Sequence, residues 1–134
     1  MAQLTKVEGI GPAYAQDLQE AGITTTDALL KKGASPRGRQ EMADRTGISG
    51  KLILRWVNHV DLFRVKGVGE EYADLLEAAG VDTVPELAQR NPGNLYQKLV
   101  AVNKEKKLVR QLPTQAKVSD WIEQAKHLPR VVNY

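Results

Sequence analysis

The sequence predicts an all-α fold built from two copies of one small helical unit. Three observations carry that prediction. The pattern Val-x-Gly-x-Gly-x-x-Tyr-Ala stands at residues 7–15 and again at residues 65–73. Apolar residues elsewhere recur at the spacing of helices, and no stretch alternates as a half-buried strand does. Thr, Ser, Asn-Pro and Gly, the residues that start and stop helices, bracket each periodic stretch.

Sliding the sequence by 58 positions (65 minus 7) superimposes Gly9 on Gly67, Gly11 on Gly69, Tyr14 on Tyr72, Ala15 on Ala73, Leu18 on Leu76 and Ala21 on Ala79. Past the pattern, Gly22, Ile23 and Thr25 fall on Gly80, Val81 and Thr83, and Leu29 falls on Leu87. Agreement over so many residue types marks a duplicated structural unit. Further on the shift grows to 65, placing Trp56 on Trp121, Ser49 on Thr114, Ile53 on Val118 and Val57 on Ile122. The second copy therefore carries seven extra residues (65 minus 58), expected around residues 102–107, where Asn103 to Lys107 would lengthen a solvated helix by about two turns of 3.6 residues. The units are placed at residues 1–63 and 64–134, packed with pseudo-twofold symmetry as one compact domain.

Each element has its local reason. Pro12 suits the first turn of a helix, where its missing N–H is no loss, and Tyr14, Ala15, Leu18 and Ala21 repeat until Gly22 stops the turn. Thr25 or Thr26 caps a short helix through Leu30. Pro36 begins another that runs to Thr46 and ends at Gly47, and Ser49 caps the next. That fourth helix carries Leu52, Ile53, Trp56, Val57 and Val60 on one face, a stripe that demands a core. In the second unit Gly80 is the equivalent stop. Asn91 and Pro92 start a helix with Leu95, Leu99 and Val102 inward, and Thr114 caps a terminal helix bearing Val118, Trp121, Ile122 and Ala125. The final Val131, Val132, Asn133 and Tyr134 are too few for a sheet and are expected to pack or fray.

Composition narrows the function classes. Cysteine is absent, which excludes disulfides, cysteine-ligated zinc and a thiol nucleophile, and permits a reducing compartment. No stretch approaches the about 18 continuous apolar residues of a membrane span, and the N-terminus lacks a signal-peptide pattern, so a soluble, unprocessed, cytoplasmic protein is expected. A net charge of +3 and a pI near 9.2 permit nucleic-acid binding without indicating it. His59 and His127 have no partner at metal-ligand spacing, and neither a GxxxxGK loop nor a nucleophile with its base is suggested. No enzyme activity, cofactor or metal is therefore expected.

The glycine pairs are the motif with chemical content. A Gly-x-Gly that opens a helix gives a turn where glycine alone tolerates positive φ, and where successive backbone N–H groups can face a phosphate. Residues 9–15, Gly-Ile-Gly-Pro-Ala-Tyr-Ala, and residues 67–73, Gly-Val-Gly-Glu-Glu-Tyr-Ala, resemble the helix-hairpin-helix motif of DNA repair and replication proteins. That resemblance implies contact with the phosphate backbone through hairpin amides, without base reading, in a SAM-domain-like helical bundle. It places the contacts at Gly9, Ile10, Gly11, Gly67, Val68 and Gly69, with double-stranded DNA as the partner; Lys6, Arg64 and Lys66 stand beside these turns as further nucleic-acid-binding residues, and a monomer is expected. The following Gly-Ile/Val-x-Thr-x-x-x-Leu segment resembles the second helix of the C-terminal domain of the bacterial RNA polymerase α subunit. Over its whole length the chain resembles a bacterial family of tandem helix-hairpin-helix proteins with no assigned function.

Departures from the DNA-contacting pattern separate the two hairpins. Lys, Arg, Ser or Thr commonly follow the second glycine in such proteins, whereas here stand Pro12, Ala13 and Tyr14 in one copy and Glu70, Glu71 and Tyr72 in the other. Carboxylates a few ångströms from an anion oppose it by about 1 to 4 kcal/mol, comparable to what a helix N-terminus offers, so the second hairpin is the weaker candidate. Lys6, Arg64 and Lys66 compensate in part. The acidic pair also supports a different reading, an interaction or scaffold module whose hairpins are connectors and whose partner is another protein.

Other features carry competing readings. Gln40 to Trp56, with Ala43, Gly47 and Ile53, has helix-turn-helix spacing and would put Lys51 and Arg55 on a reading helix, but Leu112 replaces Gly47 in the second copy while the packing residues persist. Trp56 and Trp121 are expected in the cores rather than stacked on bases, and Tyr14 and Tyr72 are expected to pack beneath the turns. Lys31 and Lys32, Arg37 and Arg39, and the run of Lys104, Lys106, Lys107 and Arg110 are material for solvated faces or for phosphate contacts.

Overall fold

The computed structural model describes residues 3–134, in which helices are joined by short connections. A single 3-10 turn at Leu4–Lys6 precedes eight α-helices: α1 (Pro12–Glu20), α2 (Thr26–Gly33), α3 (Pro36–Thr46), α4 (Gly50–Leu62), α5 (Glu70–Ala78), α6 (Val84–Ala88), α7 (Pro92–Lys106) and α8 (Gln115–His127). Among the described residues no strand forms. One isolated antiparallel bridge joins Gln3 to Thr25. The chain divides into two compact units, Met1–Asp61 together with Val131–Tyr134, and Leu62–Arg130.

Short polar side chains start most of the helices by accepting an otherwise unpaired N–H of the first turn. Thr25 accepts from the Ala28 amide at 3.1 Å, Ser35 from Gly38 at 3.0 Å, and Ser49 from Lys51 at 3.2 Å. Thr83, Asn91 and Thr114 do the same for Glu86, Asn94 and Lys117 at 3.1, 3.0 and 3.1 Å. Such a cap contributes about 1 kcal/mol. The helices starting at Pro12, Pro36 and Pro92 exploit the proline that needs no N–H partner. Helix α3 stops where Gly47 turns left-handed, its amide bonded to Ala43. Helix α2 runs on to Gly33, beyond Leu30.

In the first unit α3 packs against α1 and α2. Ile53, Trp56, Val57 and Val60 of α4 are buried as the stripe requires, with Leu18, Leu29 and Met42 also in the core, while Leu52 is half-buried. The final residues complete this unit. Val132 is buried, the Asn133 amide donates to the Ala34 carbonyl at 2.8 Å, and the Tyr134 hydroxyl donates to Asn58 Oδ1 at 2.8 Å. Arg39, expected on a solvated or phosphate-contacting face, is instead only 8% exposed. Its guanidinium donates to the carbonyls of Gly33 and Asn133, each at 2.8 Å, and its carbon lies 5.9 Å from the centre of the Tyr134 ring. A planar fork with several donors suits two carbonyls from separate segments, which explains the burial of this charge.

In the second unit α8 packs on α6 and α7, and α7 on α5, around a core that includes Leu76, Leu87, Leu95, Leu99, Val118 and Trp121. The extra residues of this unit do not add two helical turns. Helix α7 has 15 residues against 11 in α3, about one turn more, and the remainder lengthens the connection to α8. The helix stops because Lys107 takes φ 53 and ψ 48, its amide closing on the Asn103 carbonyl at 2.8 Å.

Candidate functional site

The two glycine turns are closed by corresponding bonds. Val7 donates to Leu4 at 3.0 Å, Ile10 to Val7 at 3.0 Å and Ala15 to Gly11 at 3.0 Å; Val65 donates to Leu62 at 3.0 Å, Val68 to Val65 at 3.1 Å and Ala73 to Gly69 at 2.9 Å. Gly9 and Gly67 hold φ of 93° and 96°. Beneath each lies an indole: a Cβ on Gly9 would stand 3.2 Å from Trp56 Nε1, and one on Gly67 would stand 3.0 Å from Trp121 Nε1. Dihedral and packing therefore both require the first glycine of each pair. Tyr14 and Tyr72 flank the same indoles, with ring centres 5.1 Å from Trp56 and 5.2 Å from Trp121.

The second glycine of each pair is required by neither. Gly11 has φ −84 and Gly69 φ −99, backbone that any residue adopts, and a Cβ at either position meets no atom within 4 Å. What its hydrogen side chain does is leave the helix start bare: α1 and α5 have no side-chain cap, unlike α2, α3, α6, α7 and α8. Among the described residues the amides of Gly11, Ala13 and Tyr14 have no acceptor, and in the second turn those of Gly69, Glu70, Glu71 and Tyr72 have none. These groups carry the positive end of the helix dipole.

The sequence-predicted residues sort accordingly. Gly9, Gly11, Gly67 and Gly69 are exposed on the turns, and Lys6 is exposed beside the first with no ion pair among the described residues. Ile10 and Val68 are buried with their amides already bonded inside the turn, so neither has an N–H to offer. Arg64 is directed to the Pro129 carbonyl, to which it donates at 2.8 Å. Lys66 is exposed, but its backbone is clamped by Gln124, whose side chain accepts from the Lys66 amide at 2.8 Å and donates to its carbonyl at 3.1 Å.

Gln124 is not legible in the sequence, since a glutamine on a helix has no pattern of its own. Nor is the link between Tyr72 and the extra segment. The Tyr72 hydroxyl donates to the Gln111 carbonyl at 2.9 Å, drawing that segment beside the second turn. Tyr14 is 38% exposed, and among the described residues its hydroxyl has no such bond. The first turn is therefore the more open of the two.

A polar cleft of about 250 Å³ in the first unit is lined by Asp17, Glu20, Ala21, Arg45 and Thr46. Among the described residues no three His, Cys, Asp or Glu side chains come together as metal ligands, and no helix is long and apolar enough to cross a membrane.

A family model described as Domain of unknown function (DUF4332) matches residues 8–128, from the first glycine turn to just past α8. The chain belongs to that family. No solved structure matches the chain. Membership in DUF4332 thus covers both turns and both indoles and brings no activity with it.

Proposed function

We propose that the two units are helix-hairpin-helix units related by duplication, and that the protein binds nucleic acid, double-stranded DNA first, without sequence selection and without catalysis. The contact is made by backbone amides of the first hairpin. The observation that carries this reading is the bare start of α1, where Gly11 caps nothing, fits no packing need and leaves the Gly11, Ala13 and Tyr14 amides without acceptors. An oxyanion placed there satisfies them and meets the helix dipole. Lys6 supplies a positive charge beside it. In the second hairpin, Glu70 and Glu71 oppose an anion at an otherwise similar start, and Arg64 is engaged with Pro129.

The exposed Glu70 and Glu71 favour a second reading, in which that hairpin faces a protein partner through its acidic first turn. Titration of labelled duplex and single-stranded DNA at several salt concentrations separates the two, because neutralised phosphates release counterions and affinity then falls linearly in log salt. Binding at about 50 mM salt that weakens steeply by about 200 mM supports the phosphate reading. Absence of binding at low salt leaves the protein partner.

A further inference from the structure

The formal charge of the chain is concentrated in one place. Residues 104–110 hold four cations, Lys104, Lys106, Lys107 and Arg110, and one anion, Glu105. Outside them the chain has 15 basic residues (19 minus 4) and 15 acidic ones (16 minus 1), so the entire +3 excess lies in these seven residues. This is the extra segment of the second unit. All four cations are exposed, and among the described residues none of their side chains has an ion pair or hydrogen bond. Elsewhere Lys32 and Arg37 find Glu41.

The segment is also held in shape. The Asn103 side chain accepts from the Val109 amide at 2.9 Å and donates to the Val109 carbonyl at 3.2 Å, pinning residues 104–108 between its two ends. Val109 is buried in the core, and Tyr72 holds Gln111. Lys107, at φ 53, is the one non-glycine residue among those described with positive φ, where Gly or Asn would sit with less strain. A lysine at such a position, in a clamped segment of unpaired cations beside the second turn, is a local outlier of the kind found at working sites.

We propose that residues 104–110, the last turn of α7 and the start of the loop after it, form a second nucleic-acid contact, a preorganised cationic segment that binds the phosphate backbone by charge. This rests on the nucleic-acid reading above but not on its hairpin amides. The segment compensates the second hairpin for Glu70 and Glu71, since Tyr72 brings it to the very helix that those carboxylates begin. A nucleic acid fits better than an anionic lipid surface, because the segment offers no exposed apolar side chain for insertion: Leu108 is half-buried and Val109 buried.

The test uses the full chain and a fluorescein-labelled DNA duplex, with anisotropy titrations across a range of salt. Three variants are compared with wild type: the combined Lys104→Gln, Lys106→Gln, Lys107→Gln and Arg110→Gln change; Lys107→Gly; and Gly11→Asp. With all four charges removed, affinity at about 100 mM salt falls about tenfold or more and the log–log salt slope shrinks by about 3 to 4. Lys107→Gly raises the urea midpoint, relieving the positive φ, while lowering the slope by about 1, so loss of binding is separated from loss of fold. An unchanged affinity and slope in the fourfold variant overturns this second contact. If Gly11→Asp has no effect while the fourfold variant loses binding, the hairpin reading falls and the second contact stands. Vesicles of phosphatidylserine and phosphatidylcholine are assayed alongside, and binding to them without binding to DNA overturns the proposal.

Discussion

The indole nitrogen of Trp56 lies 3.2 Å from the point where a Cβ on Gly9 would stand, and Trp121 holds the equivalent position under Gly67 at 3.0 Å. The first glycine of each pair is thereby explained without any ligand: it lets the turn close over a buried indole at positive φ. The second glycine has no such explanation, and the division of roles between the two is the basis of the functional reading.

Gly9→Ala and Gly67→Ala should each destabilise the protein by about 1–3 kcal/mol, through backbone strain and crowding of the indole. Gly11→Ala and Gly69→Ala should change stability by less than about 1 kcal/mol, because both sit in ordinary extended backbone with open space around them. Urea unfolding followed by tryptophan fluorescence measures all four. Equal losses at the first and second glycines would remove the distinction.

Arg39→Ala should free the end of the chain from the first unit. It leaves the Gly33 and Asn133 carbonyls without their charged donor, a loss of about 2–3 kcal/mol. Tyr134→Phe removes one hydrogen bond to Asn58 and should lose about 1 kcal/mol. Hydrogen exchange at the Asn133 amide, bonded to Ala34, reports the release directly: slow in wild type and fast in Arg39→Ala.

Glu41 should titrate below the ordinary carboxylate range, because Lys32 bonds and attracts its ionised form, with Arg37 adding to the effect. A carboxylate depressed in the folded state stabilises the fold above its unfolded-state pKa, and that contribution disappears as pH falls through the folded value. The Glu41 side chain is 45% exposed, so water screens the pair and the effect on stability is small. NMR titration of the Glu41 side chain checks the direction, and Lys32→Gln should return the midpoint toward the ordinary value.

What was legible in the sequence is what local chemistry writes there. Pro12, Thr25, Pro36, Gly47, Asn91 and Thr114 mark helix ends because a cap or a proline acts within three residues of itself. The tryptophans were legible as core because they stand in apolar stripes. Contacts between distant segments left no such trace. Arg39 meets Asn133 across 94 positions and looks in the sequence like any basic residue on a helix. The extra segment was legible as an insertion, but its division into one helical turn and a clamped loop depends on Asn103 reaching Val109, which no periodicity encodes. At the candidate site, the glycine pattern located the turns. It did not say that the Ile10 and Val68 amides are consumed within them, leaving Gly11, Ala13 and Tyr14 as the donors of the first turn.

The most direct test of the phosphate-binding account is one substitution read in two ways. Gly11→Asp places a carboxylate at the start of α1, where it can accept from the free first-turn amides. As an N-terminal cap in place of glycine it should stabilise the protein by about 0.5–1 kcal/mol, a few tenths from the cap and the rest from the helix dipole, while occupying with a fixed negative charge the place proposed for the phosphate. The account predicts a higher unfolding midpoint together with at least about tenfold weaker, less salt-dependent binding of duplex DNA. A more stable protein that binds DNA as well as wild type would contradict it.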